Sequence, residues 1–232
     1  MSLIILYFFF FLLIGLFLHI LRGYDLFTIS LVYVLLSTVI YFIDIYAVIY
    51  LLIFFAMAEG VTLLFNKKHE KRNYLNVLGN CLPCVIFLIV GCFLDNLGIL
   101  DFSFFILASL VSINAAFSDT FSSEIGKLSR IKPVLITNFK KVEKGTEGAV
   151  TFLGTVGGFL ASFISAMFFY LVGYHITFVI VLFLGGILGS IIDSYIGATI
   201  ETKGIFNNNQ TNFLATFIAG AISIIIYLLI II

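Results

Sequence analysis

Apolar runs long enough to cross a bilayer follow one another almost without pause along this chain of 232 residues. A membrane-spanning helix needs about 20 such residues. Runs of that order occupy 3–21, 26–43, 46–65, 77–94, 100–118, 148–171, 175–198 and 211–231. In hydrocarbon every backbone N–H and C=O must find its partner inside the segment, so such runs fold as helices. The expectation is an all-α polytopic membrane protein with about eight transmembrane helices. Asp44 alone separates the second run from the third, so seven is the other count the sequence allows. Only 10% of residues are charged, against about 25% in soluble domains. That is too few to solvate a globular surface, and a net charge of zero offers no field to attract nucleic acid.

The loops set the orientation. Arg22 lies in the first loop, Lys67, Lys68, Lys71 and Arg72 in the third, and Lys127, Arg130, Lys132, Lys140, Lys141 and Lys144 in the fifth. Lys203 lies in the seventh, and the second, fourth and sixth loops hold no Lys or Arg. Eight spans therefore place all twelve basic residues on one side, which the positive-inside rule makes cytoplasmic. The first run lacks a basic leader and a small-residue cleavage site, so a retained helix is expected there. The chain reads as a single integral membrane domain over 1–232, with N-terminal helices in 1–65 and a motif-bearing region in 66–220.

Four polar constellations lie at that same side. Ser118-Asp119-Thr120-Phe121-Ser122-Ser123-Glu124-Ile125-Gly126 closes the fifth span. A carboxylate there is costly unless hydrated, paired or bound to a cation, and Asp119 among hydroxyls suits hard-oxygen ligation of Mg²⁺. On a continuing helix Glu124 lies off the Asp119 face, so either the segment bends or Glu124 has another partner. A solvated, capped helix end is the plainer alternative. Lys140 to Gly148 leads into the sixth span, with Gly145 and Gly148 flanking Thr146 and Glu147, and Thr151 just beyond. The glycines allow close backbone approach to a ligand, and a helix N-terminus with lysines suits an anion. Contact with anionic lipid would use the same lysines. In the seventh span Ser190, Asp193 and Gly197 share a face, and an intramembrane carboxylate is a functional candidate by default. Arg72, Asn76 and Asn80, spaced i, i+4 and i+8, form a stripe suited to a phosphate or a base. Arg72 could equally be a cytoplasmic anchor. Cys81 and Cys84 in C-L-P-C admit a redox reading, but packing around Pro83 explains them as well.

Together the segments RNYLNVLGN, SDTFSSEIG, VEKGTEGAVTFLGTVGG, GSIIDSYIGATIETKG and TNFLAT resemble the phytyl-phosphate kinase family. More distantly the chain is similar to the CTP-using membrane superfamily of CDP-diacylglycerol synthase, dolichol kinase and phytol kinase. The long signature of CDP-diacylglycerol synthase is absent. The resemblance implies a kinase that adds a phosphoryl group from a nucleoside triphosphate, CTP foremost, to a prenyl monophosphate at the cytoplasmic face. It implies Mg²⁺ on Asp119 and Asp193, with Glu124 or Glu147 completing the shell. Nucleotide phosphates would fall to Ser118, Thr120, Lys140, Lys141, Gly145, Thr146, Gly148 and Thr151. The acceptor or base would fall to Arg72, Asn76, Asn80, Ser190, Ser194 and Asn212. A CTP-dependent lipid cytidylyltransferase and a transporter of an anionic substrate are the alternatives, and the sequence leaves oligomeric state open, a homodimer included.

Overall fold

A computed structural model describes residues 15, 19, 24–65 and 73–231. Its helices are α1 (Leu26–Phe42), α2 (Ile45–Phe65), α3 (Tyr74–Asn96), α4 (Phe102–Gly126), α5 (Phe152–Leu171), α6 (Ile176–Thr199) and α7 (Asn208–Ile231). A two-stranded patch, β1 (Val134–Leu135) and β2 (Ala149–Val150), and a 3₁₀ turn at Glu201–Lys203 complete the described elements. Six of these helices, α2 to α7, are long and apolar enough to cross a membrane, and α1 is a shorter apolar helix. Of the span expected at 3–21 only Gly15 and His19 lie within the described residues, and both are helical. Lys67, Lys68, Lys71 and Arg72 lie outside them.

Local chemistry explains the boundaries. Asp44 separates α1 from α2 because its Oδ1 caps the new helix, accepting from Ala47 N at 2.8 Å. Its Oδ2 accepts from the Tyr174 hydroxyl at 3.0 Å, which ties that turn to the α5–α6 turn. Burial, and then the neighbouring Asp44 carboxylate, hold the Tyr174 phenol above its usual range. The α4 helix runs eight residues past the expected end at 118. The polar tail continues as helix packed on α5, where Gly154 and Gly157 lie against Ser122, Ile125 and Gly126. Its hydroxyls are satisfied within the helix, Thr120 donating to Ala116 O at 2.9 Å and Ser123 to Thr120 O at 3.1 Å. Conversely α5 begins at Phe152 rather than 148, because Gly148 has a φ of 71° and Thr151 caps the helix.

The bundle is organised around α4, which packs on α2, α3, α5, α6 and α7. In a bilayer, close backbone approach and buried hydrogen bonds replace the hydrophobic effect as the glue between helices. At Gly189 of α6 a Cβ would come within 2.2 Å of the Ala115 Cβ on α4, so only glycine permits this crossing. Asn114 of α4 donates to Ser162 Oγ and Leu182 O, both at 2.9 Å, and Ser162 donates to Phe183 O at 2.7 Å. These three bonds join α4, α5 and α6 deep in the apolar core. Cys81, Cys84 and Cys92 carry free thiols, with Cys84 fully buried beside Pro83.

Candidate active site

A polar cavity of about 660 Å³ opens at one end of the bundle. Its wall includes Thr62 of α2, Asn73 beside α3, Glu124 of α4, Thr151 beside α5, Gly197 of α6 and Asn208 of α7. The helix ends joined by the third, fifth and seventh loops therefore meet in one place.

Asp119, Glu124, Glu147 and Asp193 all line this cavity. With its amide turned so that the nitrogen faces Asp193, the orientation its neighbours call for, Asn212 donates to Asp193 Oδ1 at 3.0 Å and to Asn208 O at 3.1 Å. Asp119 receives only a long contact from the Ser190 hydroxyl, at 3.5 Å. Among the described residues neither Asp119 nor Asp193 pairs with a cation. The two carboxylates lie within electrostatic reach of each other and of Glu147 and Glu201. Partial burial, and then Glu201, push the Glu147 carboxyl above its usual range. Glu201 follows α6 in the 3₁₀ turn; it lies in the quoted GSIIDSYIGATIETKG segment but was not among the expected site residues.

Glu124 does have another partner, as its off-face position required. Its Oε1 bonds Lys127 Nζ at 2.8 Å, one turn on. Its Oε2 is buried and without a hydrogen-bond partner, although the side chain borders the cavity. Among the described residues no three His, Cys, Asp or Glu side chains converge into a ready-made metal cage. Asp119 and Asp193, from two helices, are the pair that could hold a hard cation together with ligand oxygens.

The loop between α4 and α5 forms one side of the cavity. Antiparallel pairing of Val134 with Val150 and Leu135 with Ala149 folds it back on itself. At its tip Phe139 takes a φ of 56°, and Lys140 N is held by Asn138 Oδ1 at 3.0 Å. This places Lys140 and Lys141 on the exposed hairpin, away from the cavity wall. The lysines on that wall are Lys127 and Lys144. Lys144 Nζ donates to the carbonyls of Lys127, at 3.3 Å, and of Ser129, so it satisfies carbonyls just past the end of α4. Chain position gives no means of choosing Lys144 over Lys140 and Lys141, because the turn at Asn138–Phe139 and the bridge of Lys141 to Val134 hold the first two lysines away from the wall.

Gly145, Thr146, Gly148 and Thr151 line the cavity as a group. Gly148 lies directly on α6, where a Cβ would meet Ala198 N at 2.4 Å and Ser194 O at 2.5 Å. Across the joint a Cβ on Gly197 would meet Gly148 N at 3.1 Å. This glycine contact presses the Thr146–Glu147 turn against the carboxylates. Thr151 Oγ1 is committed to capping α5, accepting from Gly154 N at 3.0 Å. Thr120 and Ser194 also face the cavity, whereas Ser118 is fully buried and donates to Gly158 O at 3.0 Å as a pin between α4 and α5. Ser190 is buried behind Asp119 and reaches the site through that carboxylate alone.

The α3 stripe divides similarly. Asn76 accepts from Asn73 N at 2.8 Å in a capping box and donates to Asn209 Oδ1 at 3.0 Å, so its amide is used in building the wall. Asn80 lines the cavity with no hydrogen-bond partner among the described residues. Arg72, the outer member of the stripe, lies outside the described residues.

Comparison with known proteins identifies the family. An uncharacterized membrane protein of Methanocaldococcus jannaschii is 42% identical over 195 residues, covering 81% of this chain and 79% of that protein. An uncharacterized membrane protein of Synechocystis is 37% identical over 121 residues, 51% of this chain and 46% of the relative. Protein VTE6, chloroplastic, of Arabidopsis thaliana is 31% identical over 179 residues, 72% of this chain and 50% of the relative. The matched region thus spans about half the length of the cyanobacterial and plant relatives. No solved structure matches the chain. Residues 9–220 match the model of one family, and the chain belongs to the integral membrane protein DUF92 family.

Proposed function

We propose that the cavity is the active site of a membrane-embedded kinase. In this reading a phosphoryl group passes from a nucleoside triphosphate, CTP foremost, to a prenyl monophosphate. The observation that carries it is the pairing of Asp119 and Asp193, from two helices, without a cation partner among the described residues, in one large polar cavity at a membrane face. The resemblance of the surrounding motifs to the phytyl-phosphate kinase family supports the choice of acceptor.

The charge balance supports a metal-bound donor. The wall carries Asp119, Glu124, Glu147 and Asp193 against Lys127 and Lys144. One lysine is paired with Glu124 and the other donates to carbonyls. A polyphosphate meets net repulsion here unless divalent cations accompany it. Mg²⁺ ordinarily takes one or two carboxylates and fills its remaining positions with water and substrate phosphates. Asp119 and Asp193 fit that donor set. When bound, Mg²⁺ would neutralise charge on the transferring phosphoryl group.

The chain's own residues have the remaining tasks. The first amides of α5 and the Gly145–Gly148 turn orient phosphates, in the manner of helix N-termini and glycine loops. Asn80 holds the acceptor phosphate where the cavity meets the membrane. An oxygen of that phosphate forms the new bond to the γ-phosphorus, the bridging β–γ bond breaks, and the nucleoside diphosphate leaves. No protein nucleophile is required, so positioning and charge neutralisation carry the catalysis. The test is product analysis with purified protein, a prenyl monophosphate and each nucleoside triphosphate. Prenyl diphosphate with a nucleoside diphosphate supports the reading. A CDP-lipid with pyrophosphate replaces it with cytidylyl transfer.

A further inference from the structure

We infer that a narrow crevice between α1, α2 and α3 receives the apolar tail of the acceptor lipid, a branched isoprenoid-type chain. The identity of the tail rests on the phosphotransfer reading above, but the site itself rests on geometry. Asn76 and Asn80 border the polar cavity on one side and this second void on the other. Beyond them the crevice is walled by Ile29 and Val32 of α1, Phe54 and Phe55 of α2, and Val77 and Cys81 of α3.

Two voids of opposite character sharing one wall match an amphiphile. The shared residues are amides, and Asn80 is the one with no hydrogen-bond partner among the described residues. Polar groups at the crevice mouth bond to the protein. The Tyr24 hydroxyl donates to Glu59 at 3.2 Å and the Thr28 hydroxyl to Asp25 at 2.8 Å. The crevice beneath them needs no water, and an apolar chain there gains transfer free energy without stranding a donor. Depth follows from helix rise. Thr62 of α2 lines the polar cavity and Phe54 lines the crevice, eight residues or about 12 Å further along that helix. A phosphate beside Asn80 therefore leads its tail toward the middle of the bilayer, on the side away from the Asp119 and Asp193 carboxylates of α4 and α6.

The crevice holds only about 40 Å³, so a tail must part the Phe54–Phe55 side from Val77. That makes the site sensitive to chain shape and to any added bulk. A prenyl monophosphate with a diazirine near its head should label Ile29, Val32, Phe54, Phe55, Val77 or Cys81 in the full chain reconstituted in nanodiscs. Excess unlabelled prenyl phosphate should compete, and phosphatidylcholine should not. Val77→Trp, with Ile29→Phe as a gentler variant, should raise KM for long-chain prenyl phosphates about tenfold, or about 1.4 kcal/mol, because the added ring fills the space the tail needs. KM for the nucleotide and for a five-carbon prenyl phosphate should stay unchanged.

Labelling confined to the outer faces of α5, α6 or α7 overturns the tail site. So does competition by phosphatidylcholine, which would make the crevice a berth for bulk lipid. Crevice labelling without any phosphotransfer keeps the tail site and removes the reaction assigned to the cavity. Phosphotransfer with a silent Val77→Trp does the reverse.

Discussion

The joint between Gly148 and α6 gives the sharpest test of how the loop is held over the carboxylates. Gly148→Ala introduces two separate costs. A φ of 71° is the left-handed region, where alanine costs about 1–2 kcal/mol. The new Cβ would also lie 2.4 Å from Ala198 N, a backbone atom that cannot rotate aside. Relieving that contact adds about 1–3 kcal/mol more, so the docked loop should lose about 3 kcal/mol. That corresponds to a roughly 150-fold shift toward the undocked loop. Gly145→Ala is the control, because its φ of 88° carries the strain but nothing lies within 4 Å of its Cβ. It should cost only about 1–2 kcal/mol, or roughly 5- to 30-fold. The assay is the maleimide labelling rate of Thr146→Cys in an otherwise cysteine-free protein, since Thr146 borders the cavity beside this joint. Labelling should accelerate far more with Gly148→Ala than with Gly145→Ala, and turnover should fall in the same order. Equal rates for the two variants would refute the close-approach argument and leave backbone strain as the sole effect.

Three further outcomes are expected. Asp119→Asn and Asp193→Asn should each abolish turnover while the thermal transition in detergent persists; wild-type rates in either variant would make that carboxylate structural. Lys144→Ala should remove the donor to the Lys127 and Ser129 carbonyls at the end of α4 and lower kcat/KM by roughly tenfold or more. Lys141→Ala, on the exposed hairpin, should change it less than about threefold. In metal-free protein the charged form of Glu147 is disfavoured in the docked loop, by partial burial first and Glu201 second. That penalty is present above the raised pKa of Glu147 and fades as pH falls through it, so docking should tighten on acidification. Labelling of Thr146→Cys, taken relative to Asn207→Cys, should slow as pH drops, and Glu201→Gln should flatten the dependence.

Sidedness is independently testable. Lys127, Arg130 and Lys132 mark one end of the bundle, and the α3–α4 turn lies at the other. In a cysteine-free background Arg130→Cys should label from the cytoplasmic side and Ile99→Cys from the opposite side. Labelling of both from the same side would break the helix order.

The helices themselves were legible because hydrocarbon leaves a chain few alternatives. The expected runs at 77–94 and 175–198 lie within two or three residues of the ends of α3 and α6. The polar continuation of α4 to Gly126 was less so, since it depends on close packing against Gly154 and Gly157 of α5. The gathering of Asp119, Glu124, Glu147 and Asp193 was readable in outline, because loop charges fixed which helix ends face the same way. Roles within that gathering were not. Asn76 looks like a binding residue until its capping box and its bond to Asn209 are seen. Ser118 looks like a site hydroxyl but pins two helices together. The choice between Lys140–Lys141 and Lys127–Lys144 depended on a hairpin of four paired residues, too short to leave a periodic signal. Glu201 lies in the turn after α6, within the GSIIDSYIGATIETKG segment, where nothing in the pattern singles it out from its neighbours as a site carboxylate.

Phosphoryl transfer in this cavity is decided by tracing the transferred phosphorus. Purified protein in nanodiscs would be incubated with a prenyl monophosphate, Mg²⁺ and CTP labelled at the γ-phosphorus, beside an Asp119→Asn/Asp193→Asn double variant. The expected result is label in a prenyl diphosphate, stoichiometric CDP and no product from the variant. Label released as pyrophosphate with a cytidylylated lipid would make the reaction cytidylyl transfer, and lipid labelling equal in the variant and the wild type would remove Asp119 and Asp193 from the chemistry.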